Sequence, residues 1–190
     1  LDAGENPPQG AIVYYWLPKG HTGPVVLTFL AADGSELKRI ASDDDALPAA
    51  QRPSTRPGLN RHVWNLRERG PAKADPAWVD RGKKPLADHS DDTQGPLVVP
   101  GRYTVRLQAA GATQEAAFDV VPDPRVRTTP EAYAQQHALL RSIYAKLSDL
   151  NTGLNRLRTV KRQARALAPR LPAGPLRERA TALTASLEAI

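Results

Sequence analysis

Residues 58–67 read GLNRHVWNLR, and this stretch is the best candidate for an inner strand of a β-sandwich. A Pro-Gly turn signal precedes it, and Asn60 can close that turn by bonding its own backbone. In a strand, the side chains of His62, Trp64 and Leu66 share one face. We predict that Trp64 anchors the core and that its indole N–H finds an acceptor. A ligand-binding role for Trp64 or His62 is the alternative.

Short apolar or alternating runs with turn signals between them surround this stretch. Asp33-Gly34 is a turn pair between two of the runs, which predicts a hairpin. Tyr103 follows a Pro-Gly pair at a strand start, where it either forms a tyrosine corner or packs in the core. Six or seven strands at this spacing predict an immunoglobulin-like or fibronectin-like sandwich. The other predicted strands are residues 11–16, 24–31, 36–41, 102–109 and 113–121.

The second part of the chain is helical, so the predicted fold class is α+β by segment. Pro124 ends the sheet because proline has no donor for a ladder. The run Thr129-Pro130-Glu131 has the order of an N-cap, a first-position proline and a first-turn acid. We expect a long helix over about 130–168, then a Pro-Gly turn and a second helix over about 175–190.

Leucine and isoleucine recur every seven residues along the long helix and predict a coiled-coil-like seam. The seam consists of Leu140, Ile143, Leu147, Leu150, Leu154 and Leu157, extended by Ala164 and Leu167. A second helix of about 15 residues is too short to cover it. The seam therefore has to meet the sandwich, a second copy of the chain, or helices beyond Ile190.

The predicted domain organisation has three parts. Residues 1–10 are a Pro/Gly-rich linker, residues 11–123 form the sandwich, and residues 124–190 form the helical hairpin. Within the sandwich, residues 68–96 read as a long irregular loop with four prolines. Loops of this length in compact domains are usually functional or partly mobile.

The composition excludes several classes of protein and site. The 190 residues contain no Cys, which excludes disulfides and Cys-ligated metals, and no apolar run approaches a membrane span. They contain no Met either, so we expect a fragment or a processed product. The formal charge is −1 over residues 1–125 and +7 over residues 126–190, which suggests an acidic partner or surface for the helical part.

The sequence contains no recognisable active site, and we expect neither catalysis nor a cofactor. The four histidines are far apart, and no phosphate-binding, zinc-protease or nucleophile-elbow motif occurs. Two acidic clusters read as solvated loop charges, with a surface calcium site as the alternative. They are Asp43, Asp44 and Asp45, and Asp88, Asp91 and Asp92.

Two further groups of residues have a functional and a structural interpretation. A basic run on the long helix is either a solvated or partner-docking face or a phosphate contact, and no aromatic residue accompanies it for base stacking. The run is Arg156, Arg158, Lys161, Arg162 and Arg165. The cluster Tyr14-Tyr15-Trp16 suggests a carbohydrate platform, but alternation is expected to bury Tyr14 and Trp16 together in the core.

A series of strings in this order resembles a known family. The strings are NPPQGAIVYYWL, a DG turn, GLNRHVWNLR, GPLVVPGRYTVRL, DPRV and, on the long helix, NRLRTVKRQ. Together they resemble the C-terminal region of large exported bacterial β-propeller proteins of the BNR-repeat, sortilin-like kind, often labelled glycosyl hydrolases. The chain departs from that pattern at Asn65, where the family-like string has Asp, and at Ile190, where further helices are expected.

The resemblance implies an exported, non-catalytic accessory module whose β-propeller lies upstream. It implies architectural roles for Asn60, Arg61, Trp64 and the run Asp123-Pro124-Arg125. The expected partners are that propeller, a second copy through the helices, or both. The competing interpretations are a basic helical module for nucleic acid or another polyanion, and a carbohydrate-binding or hydrolase-associated module.

Overall fold

The computed structural model describes residues 8–75 and 94–188. Over these residues the protein is a mixed α+β structure with six strands followed by two helices. The strands are β1 Ala11–Leu17, β2 Val26–Leu30, β3 Glu36–Ala41, β4 Gly58–Trp64, β5 Gly101–Ala109 and β6 Ala112–Val120, and the helices are α1 Pro130–Leu167 and α2 Pro175–Glu188. The predicted positions of the strands and helices are confirmed to within a few residues at each end.

The strands form two antiparallel sheets. One has the order β1-β4 and the other the order β3-β2-β5-β6. The predicted DG hairpin joins β2 to β3, and Asp33 Oδ1 accepts the Ser35 N–H at 2.9 Å inside the turn. Gly34 has a φ of 82°, which glycine adopts without steric cost.

The core lies between the two sheets, with Trp64 at its centre and 1% exposed. Phe29 of the four-stranded sheet stacks on the indole with ring centroids 4.3 Å apart. Tyr103 and Phe118 meet the indole edge-on at 6.2 and 6.1 Å. The indole N–H donates to the Arg67 carbonyl at 2.9 Å, which supplies the acceptor that a buried tryptophan requires. The core position predicted for Trp64 is confirmed.

Strand β4 ends earlier than predicted. It stops at Trp64, and Leu66 has a φ of 58°, in the left-handed region. The expectation that Leu66 continues the inner face of the strand is therefore wrong in its backbone geometry. Leu66 is still partly buried against the core. The same turn places the carbonyl of the next residue, Arg67, within hydrogen-bond distance of the Trp64 indole.

Gly10 directly precedes β1 and lies against the backbone at the end of β4. Its φ is 135°, and a Cβ placed on it would lie 2.1 Å from the Trp64 carbonyl oxygen. Only glycine allows the backbone to pass so close to β4. Of the predicted linker, residues 1–7 lie outside the described residues.

Helix α1 begins and ends where its sequence signals predict. Thr129 Oγ1 accepts the Ala132 N–H at 3.2 Å as the N-cap. The helix continues through Gly153 to Leu167, and a short 3-10 turn at Ala168–Arg170 leads towards α2. Two successive helices agree with the predicted helical hairpin. In the part of the chain that the structure describes, neither helix is long and apolar enough to cross a membrane.

The chain divides into two compact units. The first contains both sheets and α1 as far as Arg141, and the second contains the residues from Ser142 together with the segment that starts at Pro71. The sequence placed the boundary between residues 123 and 124, ahead of the helix, whereas the units divide inside α1. Of the predicted loop 68–96, residues 76–93 lie outside the described residues.

Candidate interaction surface

The outer face of the β1-β4 sheet carries six side chains, and we call it the aromatic face. In antiparallel strands, directly opposed residues project to the same side of the sheet. On this side Ile12 is opposite Val63, Tyr14 is opposite Arg61, and Trp16 is opposite Leu59. The exposed fractions are 60% for Tyr14, 65% for Trp16 and 74% for Leu59. A contiguous row of large apolar side chains in solvent is unusual for a folded surface.

The expected burial of Tyr14 and Trp16 is therefore wrong. Strand β1 reads AIVYYWL, so both of its faces are apolar and alternation alone does not say which one turns inward. The inner residues are Tyr15, which is opposite Asn60, and Leu17, which is opposite Gly58. Pairing with β4 decides the face, because β4 places Trp64 inward and its partner strand has to follow the same register.

A hydrogen bond holds the Tyr15 side chain on the inner side of the sheet. Its hydroxyl donates to the Ser54 carbonyl at 2.6 Å. Burial raises the pKa of the Tyr15 hydroxyl to about 12, and the hydrogen bond to Ser54 acts in the opposite direction. The phenol therefore stays neutral at physiological pH and holds β1 so that Tyr14 and Trp16 point outward.

Asn60 and Arg61 occupy opposite faces of β4, although both were predicted to be architectural. Asn60 is buried, and its side-chain amide donates to the carbonyls of Arg56 at 2.8 Å and Gly58 at 3.0 Å. This closes the turn before β4, as predicted. Arg61 is exposed on the aromatic face, directly opposite Tyr14. It is available to a partner, because the described contacts give it no internal hydrogen bond or ion pair.

Acidic residues are absent from both strands of this sheet and from their flanks. Residues 8–23 and 52–67 contain no Asp or Glu, and they contain five Lys or Arg residues. One of these, Arg52, is paired with Asp45 at 3.0 Å. The two strands and the residues next to them in sequence therefore carry positive charge and no acidic side chain.

His62 lies behind the aromatic face and is 8% exposed, with no hydrogen-bond partner at Nε2. Burial lowers the pKa of His62, and the charge of Lys38 lowers it further. Burial and the charge of Arg67 likewise lower the pKa of Lys38. His62 is thus a neutral core residue, and it does not reach the aromatic face, since it projects to the inner side of β4 opposite Val13.

Tyr103 has the geometry of a tyrosine corner. Its ring is buried, and its hydroxyl donates to the Val99 carbonyl, four residues upstream, at 2.5 Å. Burial raises the pKa of the Tyr103 hydroxyl, and the negative charge of Glu68 raises it further.

Pro124 follows the end of β6 in an exposed turn, where the Arg125 guanidinium donates to the Asp123 carboxylate at 2.6 Å. Tyr103 lies in the four-stranded sheet and Pro124 in the turn after it, so neither residue is part of the aromatic face.

A polar cluster around the buried carboxylate of Glu68 in the first unit was not predicted from the sequence. The Glu68 side chain is 10% exposed, His137 Nε2 lies 2.8 Å from its Oε1, and Arg141 Nε donates to its Oε2 at 2.9 Å. About 70 residues separate Glu68 from its partners, so no local pattern connects them. Both carboxylate oxygens are engaged, and the cluster connects the part of α1 that belongs to the first unit with the segment that follows β4.

The second unit contains a polar clamp, which we define as Ser148, Asn151, Asn155 and Arg158 of α1. The clamp holds an extended segment, Pro71 to Asp75, through its backbone. Asn155 donates to the Lys73 carbonyl and accepts the Asp75 N–H, both at 2.8 Å. The other clamp contacts are Ala72 N–H to Ser148 Oγ at 3.1 Å, Asn151 to the Ala72 carbonyl at 2.7 Å, and Arg158 to the Asp75 carbonyl at 3.2 Å.

The predicted leucine seam separates into two columns. Leu140, Leu147 and Leu154 are half-buried, whereas Ile143 and Leu150 are 52% and 66% exposed. Leu157 is half-buried, Leu167 is exposed and Ala164 is buried. In the basic run, Arg158 is occupied by the clamp, Lys161 is half-buried, and Arg156, Arg162 and Arg165 are exposed. Ile143 and Leu150 are therefore the exposed part of the predicted seam, whereas Leu157 and Ala164 of the same heptad series are half-buried and buried.

Two of the predicted acidic loop residues make local hydrogen bonds. Asp44 accepts the Ala46 N–H at 3.0 Å, and Asp45 is bonded to Arg52. Asp43 is exposed, while Asp88, Asp91 and Asp92 lie outside the described residues. Among residues 8–75 and 94–188, no three His, Cys, Asp or Glu side chains converge as a metal ion would require.

Comparison of the chain with protein-family models, with curated proteins and with solved structures gives no match. The resemblance to exported β-propeller proteins therefore stays a prediction from the sequence strings. The surfaces described above have to be interpreted from their own chemistry.

Proposed function

We propose that this protein is a non-catalytic accessory module that docks onto a protein surface through the aromatic face. One observation carries the proposal, namely the exposed row of Tyr14 and Trp16 with Leu59 and Arg61 beside them. A soluble sheet ordinarily turns such side chains inward. Their exposure is explained when a second protein surface covers them.

The composition of the aromatic face favours a protein as the occupant. Residues that dominate binding energy at protein interfaces are enriched in Trp, Tyr and Arg, and all three types stand side by side on this face. The aliphatic side chains of Ile12, Leu59 and Val63 surround them, as in the desolvated centre of an interface. Covering Trp16 and Tyr14 removes large apolar areas from water, which supplies the driving force.

Three features support an immunoglobulin-like architecture for this module. Two antiparallel sheets share one core, a tryptophan lies at its centre, and Tyr103 bonds back to Val99. The sequence strings suggest a parent protein that is exported and carries a β-propeller. The surface that covers the aromatic face is then part of the same polypeptide or of its assembly.

A photoreactive residue tests this proposal. The full natural protein is expressed in its source cells with benzoylphenylalanine in place of Leu59. This position is chosen because Leu59 is highly exposed, so that its replacement leaves the core intact. We expect crosslinks that map to one protein surface, in the same polypeptide or in a partner. The matched control carries the same group at Gln114, an exposed position of β6 in the other sheet.

Adding Trp16→Ala to the Leu59 probe separates docking from chance collisions. We expect the specific crosslink to be lost, since Trp16 is opposite Leu59 on the same face. The proposal fails if residue 59 gives the same diffuse products as residue 114, or if Trp16→Ala leaves the crosslink unchanged.

Carbohydrate binding is a second candidate, because the structure exposes Tyr14 and Trp16 on one face of β1. An oligosaccharide that stacks on Trp16 would protect the indole from acrylamide quenching. Titration with neutral and acidic oligosaccharides therefore distinguishes this candidate from protein docking. Saturable protection that Trp16→Phe abolishes would establish carbohydrate binding, and unchanged quenching would exclude it for the sugars tested.

A further inference from the structure

Arg61 is the charged member of the aromatic face, and the other five members are aromatic or aliphatic. Its neighbours on that face are Tyr14 directly opposite, Leu59 and Val63 along β4, and Ile12 and Trp16 on the diagonals. The pair of Arg61 and Tyr14 is the middle one of the three cross-strand pairs. The positive charge of the face therefore lies at its centre and not at its rim.

The fold does not neutralise this charge. Arg61 is exposed, and within residues 8–75 and 94–188 it has no hydrogen bond or ion pair. The four-stranded sheet provides the contrast, because Arg106 has Glu115 opposite it and donates to that carboxylate at 2.6 Å. The cross-strand partner of Arg61 is Tyr14, which has no negative charge to offer at neutral pH.

This arrangement has a consequence for the protein that docks here, and the reasoning rests on the function proposed above. A surface that covers Trp16 and Tyr14 also covers Arg61 between them, so the guanidinium loses its contact with water. Burying a cation without a counter-charge is costly. A carboxylate opposite the guanidinium removes this cost, because it accepts two parallel N–H···O bonds from the planar group.

The charge of the chain argues against a second copy as the occupant. The strands of the aromatic face and their flanks, residues 8–23 and 52–67, contain five Lys or Arg residues and no Asp or Glu. The helical part, residues 126–190, has eleven Lys or Arg and four Asp or Glu residues, a formal charge of +7. Either surface would bring positive charge towards Arg61, and like charges that meet across an interface lower affinity.

We propose that Arg61 determines the specificity of the aromatic face by pairing with an Asp or Glu carboxylate of the partner protein. That carboxylate lies within an apolar surface, which Trp16, Tyr14 and Leu59 cover. The aromatic side chains supply the buried area, and Arg61 discriminates against surfaces that are apolar but lack the acid. An unpaired guanidinium would weaken docking on such a surface.

Charge reversal at residue 61 tests this proposal in the full natural protein, with the photoreactive group at residue 59 as the reporter of docking in the source cells. Arg61→Glu should lower the yield of the specific crosslink at least about tenfold, because it breaks a buried charge pair and opposes two carboxylates. Arg61→Lys should lower it a few-fold, since an ammonium group cannot form the planar bidentate pair.

Arg39→Glu is the matched control, because Arg39 is an exposed arginine of β3 in the other sheet. It should leave the crosslink yield unchanged. The urea-unfolding midpoints of the Arg61→Glu and Arg39→Glu chains should equal that of the parent chain, since both arginines are exposed. Equal midpoints show that a lost crosslink reflects lost docking and not lost folding.

Restoration by exchanged charges identifies the carboxylate. The crosslinked peptide locates the partner surface, and each Asp or Glu on that surface is replaced by Arg in the Arg61→Glu background. One of these replacements should restore the crosslink. Full crosslinking by Arg61→Glu, or no restoration by any replacement, would overturn the role of Arg61 and leave docking through the aromatic face in place. The absence of a specific crosslink when Arg61 is intact would overturn both proposals.

Discussion

The two compact units use their apolar residues in opposite ways. In the first unit, Trp64, Phe29 and Leu27 are almost completely buried between two sheets. In the second unit, Leu150 and Ile143 face solvent, and the described contacts of the clamp are hydrogen bonds to backbone. The first unit therefore derives its stability from apolar burial, whereas the second leaves part of its apolar surface exposed to solvent.

A similar contrast occurs within the two-stranded sheet of the first unit. Its inner side carries Trp64 and Tyr15, and its outer side carries Tyr14 and Trp16, although all four residues are large aromatics. The difference shows that residue type alone does not assign a role. Substitutions in each unit and on each side of this sheet test both contrasts.

The substitution Trp64→Ala should destabilise the chain by about 3–5 kcal/mol, because it removes a fully buried ring and leaves a cavity next to Phe29. Its matched variant is Trp16→Ala, which removes the same side chain from a position that is 65% exposed and should change stability by less than about 0.5 kcal/mol. Urea unfolding followed by circular dichroism measures both. Similar losses for the two variants would contradict the assignment of an inner and an outer face.

The substitution Gly10→Ala should destabilise the first unit by roughly 1–3 kcal/mol, because φ is 135° and the added methyl group meets the Trp64 carbonyl. Gly20→Ala is the control, since Gly20 also has a positive φ, 81°, but has open space around it. The difference between the two midpoints of urea unfolding reports the close approach to Trp64 together with the less favourable φ of Gly10. Equal midpoints would show that β1 does not pass against β4 in this way.

The substitution Asn155→Ala should act on the second unit alone. It removes two exposed hydrogen bonds to the segment that starts at Pro71, worth about 1–2 kcal/mol together. We expect faster amide hydrogen exchange at Asp75 and unchanged exchange in β2. Thr152→Ala, on the same helix but outside the clamp, should leave the Asp75 amide as it is. Protection at Asp75 that survives Asn155→Ala would show that the clamp does not hold the segment.

The buried His62 gives the stability of the first unit a small dependence on pH. Burial places the pKa of His62 below its unfolded value, so the folded state binds fewer protons at this site than the unfolded state. The stability associated with neutral His62 is present above pH 6.5 and is lost as the pH falls below that value. Between pH 7 and pH 5, His62→Gln should flatten the decline in unfolding free energy by less than about 1.4 kcal/mol per pH unit. An identical slope in both proteins would contradict a neutral buried histidine.

Much of the secondary structure could be predicted because its signals are local. The alternation in β4 and β5, the DG turn at Gly34 and the capping sequence at Thr129 all act within a few residues. The long helix through Gly153 followed from a seven-residue repeat. These features depend on chain geometry that neighbouring residues share, and the structure agrees with them.

Only part of the candidate site could be predicted from the sequence. Tyr14 and Trp16 were recognised as a cluster but assigned to the core, because every residue of β1 is apolar. Glu68 and its partners His137 and Arg141 were missed, since they lie far apart in the chain. The clamp was missed for the same reason, as its amides bind backbone groups about 80 residues away.

Local sequence patterns alone predict where the strands and helices lie, where the turns occur, and that Trp64 is a core residue. These are consequences of side-chain periodicity and backbone preference, which neighbouring residues specify. The outward face of β1, the burial of Glu68 and the exposure of Leu150 on α1 become visible only once the chain has folded. Those outcomes depend on pairings between residues distant in the chain, because burial is a property of what packs against a side chain.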